Sequence, residues 1–120
     1  MKILAIIFLL FTPFTANAGR EAGLGHHVVT MTGSALKLCP AADTKFFARD
    51  VVIQNQTGSA ANIAVGDSSV LDTEANGGIV VAPGSAISFT QPLNAGDYYD
   101  LCKIFADGTN LDKVSVTYVK

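Results

Sequence analysis

Hydrophobic and polar residues alternate in several short stretches of this chain. The clearest examples are LKL at 36–38, ISF at 87–89 and VSVTY at 114–118. A period of two places alternate side chains on opposite faces of a β-strand, so one face is buried and the other is wet. Together with short runs rich in Val, Ile, Thr and aromatic residues, this pattern predicts eight strands, at residues 28–31, 35–38, 50–55, 61–65, 78–81, 86–89, 98–105 and 113–119.

The predicted strands are short, and Gly, Pro, Asn and Asp separate them. No stretch has the period of an amphipathic helix. We therefore predict an all-β fold, a small single-domain antiparallel β-sandwich of about seven or eight short strands. Within residues 98–105 the alternation changes phase, which a bulge or burial on both faces would explain.

Two turns have a clear chemical basis. Pro83 fixes its own φ angle and Gly84 tolerates a positive φ, which is the combination that a type II turn needs at its two central positions. Asp107 and Gly108 form the Asp-Gly pair that is typical of a tight hairpin. We therefore predict a turn at each pair, the second leading directly into the last strand.

The first 18 residues have the pattern of a secretory signal peptide. Lys2 precedes an apolar run at 3–11, and Ala16-Asn17-Ala18 offers small residues at the expected cleavage point. The run is shorter than the roughly 20 residues of a membrane-spanning helix, so we expect no permanent membrane span. Residues 19–27 are Gly-rich and are predicted to be a flexible N-terminal arm, followed by the β-sandwich domain at 28–120. The expected location is the periplasm, the extracellular space or a virion surface.

The chain has two cysteines, Cys39 and Cys102, and both lie in the part expected to be exported. Disulfides persist in oxidising compartments, so we predict that the two are bridged. A cysteine nucleophile would need a partner that stabilises its thiolate, and a metal site on two cysteines this far apart would need further ligands. The disulfide is the favoured interpretation.

Charge and motifs exclude several classes of function. Without residues 1–18 the chain keeps seven basic and ten acidic residues, a net charge of −3, whereas nucleic-acid binders concentrate Lys and Arg. The chain contains no GxSxG, HExxH, Walker A or GxGxxG motif. We predict a protein that is not an enzyme, has no catalytic residues, needs no cofactor and binds no nucleic acid.

Two sets of residues resemble metal sites only weakly. His26 and His27 are adjacent, so on a strand they point to opposite faces and cannot chelate one ion. Asp107, Asn110 and Asp112 supply oxygen ligands within six residues but lack the spacing of a calcium loop. No metal site is predicted.

Aromatic and acidic residues mark a candidate surface for a ligand or partner. Tyr98, Tyr99 and Asp100 combine aromatic rings with a carboxylate, as sugar-binding surfaces do, and Asp67 lies in a predicted surface loop. We expect one of the two tyrosines to pack against the strands and the other to be exposed. This surface is the sequence-based candidate for contact with a protein or a glycan.

The order of turns and strands resembles a small β-sandwich module of tailed-phage virion and tail-associated structural proteins. The similarity extends from Val28 to Val119. It rests on these matches: Gln54-Asn55, Val65-Gly66-Asp67, Gly77-Gly78, Ala82-Pro83-Gly84-Ser85, Phe89, Gly108 and the Val-rich strand at 114–119. The resemblance implies a structural or adhesive part of a particle, with no catalytic residues to carry over.

Two features depart from that module. Tailed-phage virions assemble in the cytoplasm, where a signal peptide has no use, and the module does not ordinarily depend on a cysteine pair. The first hypothesis is thus an exported, non-enzymatic structural or interaction protein, a virion component or a surface-assembly subunit with protein partners or self-assembly. Its 49% apolar and 15% charged residues suit a protein that buries surface against partners. The alternative is a secreted carbohydrate-binding or adhesion module.

Overall fold

The chain folds into two four-stranded antiparallel sheets and a two-stranded ribbon. This is a computed structural model, and it describes residues 23–72, 77–91 and 96–120. The strands are β1 (Leu24–Thr30), β2 (Leu36–Lys37), β3 (Phe47–Ala48), β4 (Asp50–Asn55), β5 (Ile63–Gly66), β6 (Ile79–Val81), β7 (Ala86–Thr90), β8 (Tyr99–Asp100), β9 (Phe105–Asp107) and β10 (Lys113–Val119).

Each sheet combines strands that are distant in the sequence. The first sheet, sheet A, has the order β1-β10-β4-β7, and the second, sheet B, has the order β2-β9-β5-β6. The ribbon pairs β3 with β8. All pairings are antiparallel. The first described strand therefore lies beside the last one, and the two ends of the fold are joined by backbone hydrogen bonds.

The core lies between the two sheets. In β4 the buried positions alternate with more exposed ones along DVVIQN, as the sequence pattern predicted. Sheet A contributes Val51, Ile53, Val114 and Val116 to one continuous cluster of buried side chains, and sheet B contributes Ile63, Val65, Val81 and Ala106. The predicted all-β sandwich is confirmed.

The first strand begins earlier than predicted. Leu24 to His27 were assigned to a flexible arm, but they form the first half of β1, each paired with a residue of β10. Backbone pairing along β10 extends the strand through residues whose sequence has no strand pattern. The rest of the predicted arm, 19–22, and the predicted signal peptide, 1–18, lie outside the described residues.

The predicted strand at 98–105 is interrupted. It consists of β8, a 3₁₀ turn at Leu101–Lys103 and then β9. The Asp100 carboxylate caps this turn by accepting a hydrogen bond from the Cys102 N–H at 3.0 Å. The change of phase thus marks a turn and not a bulge. With this division and the additional strand β3, the described residues contain ten short strands, whereas seven or eight were predicted.

The predicted turn at Pro83 and Gly84 is present. Gly84 has φ +80°, and the Ser85 N–H donates to the Ala82 carbonyl at 2.9 Å. These are the features of a type II turn with a glycine at its third position.

The predicted hairpin at Asp107 and Gly108 is wrong. The strands on either side of these residues, β9 and β10, belong to different sheets, so the connection crosses the sandwich. Asp107 is buried and its carboxylate accepts from the Asp72 N–H at 3.0 Å. A Cβ on Gly108 would come within 2.9 Å of Ile63 Cγ2. Gly108 therefore allows close packing against Ile63 of the neighbouring strand β5. It does not supply a positive φ, which in this connection belongs to Leu111 at 72°.

Candidate functional site

Cys39 and Cys102 form a disulfide, as the sequence predicted. Their Cα atoms are 4.9 Å apart and 63 residues separate them in the chain. Cys39 follows β2 and is buried, and Cys102 lies in the 3₁₀ turn between β8 and β9. The bridge therefore links the end of β2 to the turn between β8 and β9. This is a structural role.

The four residues predicted as a partner surface differ in how exposed they are. Tyr98 is 52% exposed and Asp67 is exposed, whereas Tyr99 and Asp100 are half-buried. Besides capping the 3₁₀ turn, Asp100 accepts a hydrogen bond from the Phe46 N–H at 3.1 Å. The ring of Tyr99 packs on Phe89 with 5.6 Å between centroids. One tyrosine is packed and the other exposed, as expected, and only Tyr98 and Asp67 are free for contacts with a partner.

Asp67 is held by its own loop. Its Oδ1 accepts hydrogen bonds from the Ser69 Oγ at 2.6 Å and from the Ser69 N–H at 2.8 Å. These two bonds, the side-chain one first, lower the pKa of the Asp67 carboxyl. The carboxylate is ionised and presented at the surface in a fixed Asx-type turn.

An apolar groove lies beside Tyr99, at the side of the sandwich where β6 and β7 form the sheet edges. Its volume is about 420 Å³, and it is lined by Val65, Gly66, Gly78, Ile79, Phe89, Tyr99 and Ile104. None of these side chains is charged. The groove can accept an apolar group, and Tyr99 is the one lining residue whose side chain carries a polar group.

The histidine pair divides between the two faces of β1, although the sequence assigned both residues to the flexible arm. His26 is exposed, while the His27 ring is half-buried and its Nε2 lies 2.7 Å from the Leu38 carbonyl oxygen. The His27 ring also packs 5.9 Å from the Tyr118 ring and 6.3 Å from the Phe46 ring. His27 thus belongs to an aromatic cluster that closes the sandwich near β1.

The carboxylates near Gly108 hold loops. Asp112 is buried, and its two oxygens accept from the Ala60 N–H at 2.9 Å and the Ala61 N–H at 3.1 Å. The Asp107 carboxylate binds the backbone of Asp72, as described above. Within residues 23–72, 77–91 and 96–120, no three His, Cys, Asp or Glu side chains are grouped closely enough to hold a metal ion.

The sequence did not single out β1, which presents the longest free edge among the described strands. β1 pairs only with β10. The Met31 N–H donates to the Asp112 carbonyl at 2.8 Å, and the Met31 carbonyl accepts from the Leu111 N–H at 2.9 Å, so both groups point toward the β10 side. Successive residues of a strand direct these groups to opposite sides. Because the β1–β10 register is unbroken, the outward-pointing backbone groups belong to Leu24, His26, Val28 and Thr30.

This edge lacks the usual protection against pairing. Proteins block exposed edges with Lys, Pro, inward charges or bulges, and the β1 sequence LGHHVVT contains no charged residue and no proline. The other edge strands are shorter: β7 has five residues, β6 three and β2 two. Beside β1, a second groove of about 340 Å³ lies between β1 and β2, lined by His27, Val28, Val29, Thr30, Leu36, Lys37, Cys39, Pro40 and Ala41.

Membrane insertion by helices finds no support in the described part of the chain, where no helix is long and apolar enough to span a bilayer. Comparison with protein-family models and with curated proteins found no match to this chain. The resemblance to the phage module therefore stays a prediction from the sequence.

Proposed function

We propose that this protein is an exported, non-enzymatic structural or interaction protein, a subunit that assembles with other protein chains in a virion or on a cell surface. The observation that carries the proposal is the free edge of β1. Among the described residues, four residues of this strand direct N–H and C=O groups outward without a partner strand, and the strand has no charge or proline to prevent strand addition. Cys39 of the disulfide lines the groove beside this edge.

The chemistry of the described grooves agrees with this proposal. The groove beside Tyr99 is apolar, and the described carboxylates of Asp100, Asp107 and Asp112 are engaged with backbone N–H groups. Carboxylate oxygens that accept hydrogen bonds from backbone N–H groups are not free to bind a substrate. Among the strand edges that the structure describes, that of β1 is the longest and offers the most backbone groups without a partner strand.

The experiment is the native mass of the mature protein, measured by light scattering over a series of concentrations, with and without reductant. We expect the assembled fraction to increase with concentration in the oxidised protein. A monomer at every concentration, up to about millimolar, would contradict self-assembly.

The alternative, a carbohydrate-binding or adhesion module, is favoured by one observation: Tyr98 is 52% exposed, as are the aromatic residues of sugar-binding surfaces. Its test is a glycan array with the wild-type protein and the Tyr98→Ala variant. Glycan binding that the substitution abolishes, in a protein that stays monomeric, would replace the assembly proposal with this one.

A further inference from the structure

The two free edges of sheet A differ in how much backbone they offer. In β7 the Ser85 carbonyl accepts from the Asn55 N–H, and the Gln91 N–H donates to the Arg49 carbonyl, so the odd-numbered residues face β4. The outward groups of β7 therefore belong to three residues, Ala86, Ser88 and Thr90. β1 offers four such residues, and two copies of β1 can exchange more backbone hydrogen bonds than any pairing that includes β7.

We propose that two copies of this chain pair through β1, antiparallel and about a two-fold axis at His27. This inference rests on the proposed function and names the partner, a second copy, and the surface. The pairing would join the two copies of sheet A into one continuous eight-stranded sheet. Such an isologous contact closes on itself and gives a dimer.

Backbone groups along β1 point alternately toward β10 and outward, and this alternation selects the register. A residue that directs both its N–H and its C=O outward must lie opposite a residue of the second copy that does the same. A two-fold axis at His27 meets this requirement, because it places Leu24 opposite Thr30 and His26 opposite Val28 of the second copy. Each of these four pairs exchanges two bonds, about eight in total. No other two-fold register that pairs outward-facing residues uses all four outward positions of both strands.

The side chains of β1 permit pairing with an identical strand. Self-pairing places every charged residue close to its own copy or to a near neighbour, so a charged edge strand would repel itself. β1 has no charged residue. On its outer face the pairing brings Leu24 beside Thr30 and Val28 beside His26, which are apolar or neutral polar contacts. Leu24 is 75% exposed in the single chain, and pairing would bury part of its side chain.

The groove between β1 and β2 provides room for the second copy. The inward-facing residues of β1 are Gly25, His27 and Val29, which are half-buried. The same residues of the second copy would extend over the groove of about 340 Å³, whose far side is formed by Pro40 and Ala41. The groove therefore lies where strand addition would bring these side chains, as in recognition by β-augmentation.

The test uses two matched proline variants of the mature protein. Val28→Pro removes an outward N–H from the edge of β1, and Ser88→Pro removes an outward N–H from the edge of β7; proline is tolerated at such edge positions. Light scattering is measured on both, with circular dichroism to establish folding. We expect Val28→Pro to be a folded monomer and Ser88→Pro to dimerise like the wild type. If Val28→Pro fails to fold, Val28→Lys replaces it, because a charge at this edge opposes self-pairing.

The register is tested by cross-linking. His26→Cys chains are mixed with Val28→Cys chains, treated with a short bifunctional thiol reagent and digested for mass spectrometry. We expect the mixture to cross-link more than either variant alone, because Cβ atoms of directly opposite residues are about 4.5–5.5 Å apart and diagonal neighbours about 7–8 Å.

Each remaining outcome overturns the β1 dimer or its register. An assembly that persists in folded Val28→Pro, or that forms open filaments, uses other surfaces and leaves the proposed assembly function in place. A dimer without the 26-to-28 cross-link rejects the register. A wild-type protein that is monomeric at all concentrations rejects both this inference and self-assembly.

Discussion

The ring of Tyr118 lies directly over the backbone of Gly25. The two residues are partners in the β1–β10 register, and a Cβ on Gly25 would come within 2.5 Å of the ring carbons Cε2 and Cζ. The ring cannot move freely, because it packs edge-on against Phe46 with 4.8 Å between centroids. Gly25 is therefore the residue that lets an aromatic side chain of β10 cover β1.

Gly25→Ala is expected to destabilise the fold by about 2 kcal/mol, since overpacking must displace the Tyr118 ring from its contact with Phe46. Chemical denaturation measures the change. The control is Gly23→Ala, where a Cβ meets nothing within 4 Å, and little change is expected. In a Tyr118→Ala background the penalty of Gly25→Ala should shrink, as a double-mutant cycle would register. An equal penalty in both backgrounds would contradict the contact.

The disulfide should supply a large share of stability. Removing a bridge that closes 63 residues costs about 4 kcal/mol in the loop-entropy model, against total stabilities of about 5–15 kcal/mol. We expect the double variant Cys39→Ser with Cys102→Ser to unfold at a much lower urea concentration. Reductant should lower the midpoint of the wild type and leave that of the double variant unchanged. Two free thiols titrated in denatured, unreduced protein would rule out the bridge.

Asn55 links the two sheets through its side chain. It is fully buried at the end of β4, and its Nδ2 donates to the Ala61 carbonyl at 2.9 Å and to the Val81 carbonyl at 3.0 Å. Asn55→Asp would place a carboxyl oxygen against two carbonyl oxygens, so we expect a loss of about 3 kcal/mol at neutral pH. Gln54→Glu, the same change of an amide to an acid at the exposed neighbouring position, is the control and should be nearly neutral. Equal melting temperatures for the two variants would refute the role of Asn55.

The turn at Gly84 depends on a backbone conformation that L-residues avoid. Gly84→Val introduces a β-branched side chain at φ +80°, and its Cβ would lie 3.3 Å from Thr57 Cγ2. The expected destabilisation is about 2 kcal/mol or more. Gly58→Val serves as the control, because a Cβ there meets nothing within 4 Å and Gly58 has no positive φ. A thermal melt of Gly84→Val that matches the wild type would show that the turn has been misassigned.

The titration of Asp67 reports on the Asx-type turn at the start of the loop after β5. Because hydrogen bonds from Ser69 lower the pKa of the Asp67 carboxyl in the folded state, the turn stabilises the fold above the unfolded-state pKa, and this contribution is lost as the pH falls through the folded-state pKa. Nuclear magnetic resonance of the carboxyl carbon measures the midpoint. Ser69→Ala should raise it and Ser68→Ala should not. Identical midpoints in all three proteins would contradict the turn.

Local patterns were sufficient to predict the fold class. Alternation along 113–119 and 50–55 identified β10 and β4 with correct bounds, because each strand has one face in the core and one in solvent. Pro83 and Gly84 identified their turn because φ preferences are properties of single residues. The signal-peptide pattern, which implies an oxidising compartment, and the even number of cysteines were enough to predict the disulfide.

Tertiary structure decided the rest. Residues 24–27 have no strand pattern, and they form a strand only because β10 lies beside them; the Asp-Gly pair at 107–108 was wrong as a hairpin because its flanking strands belong to opposite sheets. The free edge of β1 was also not predictable from the sequence. Which backbone groups are left unpaired depends on which strands become neighbours, and that is settled by contacts between residues far apart in the chain and not by local preference.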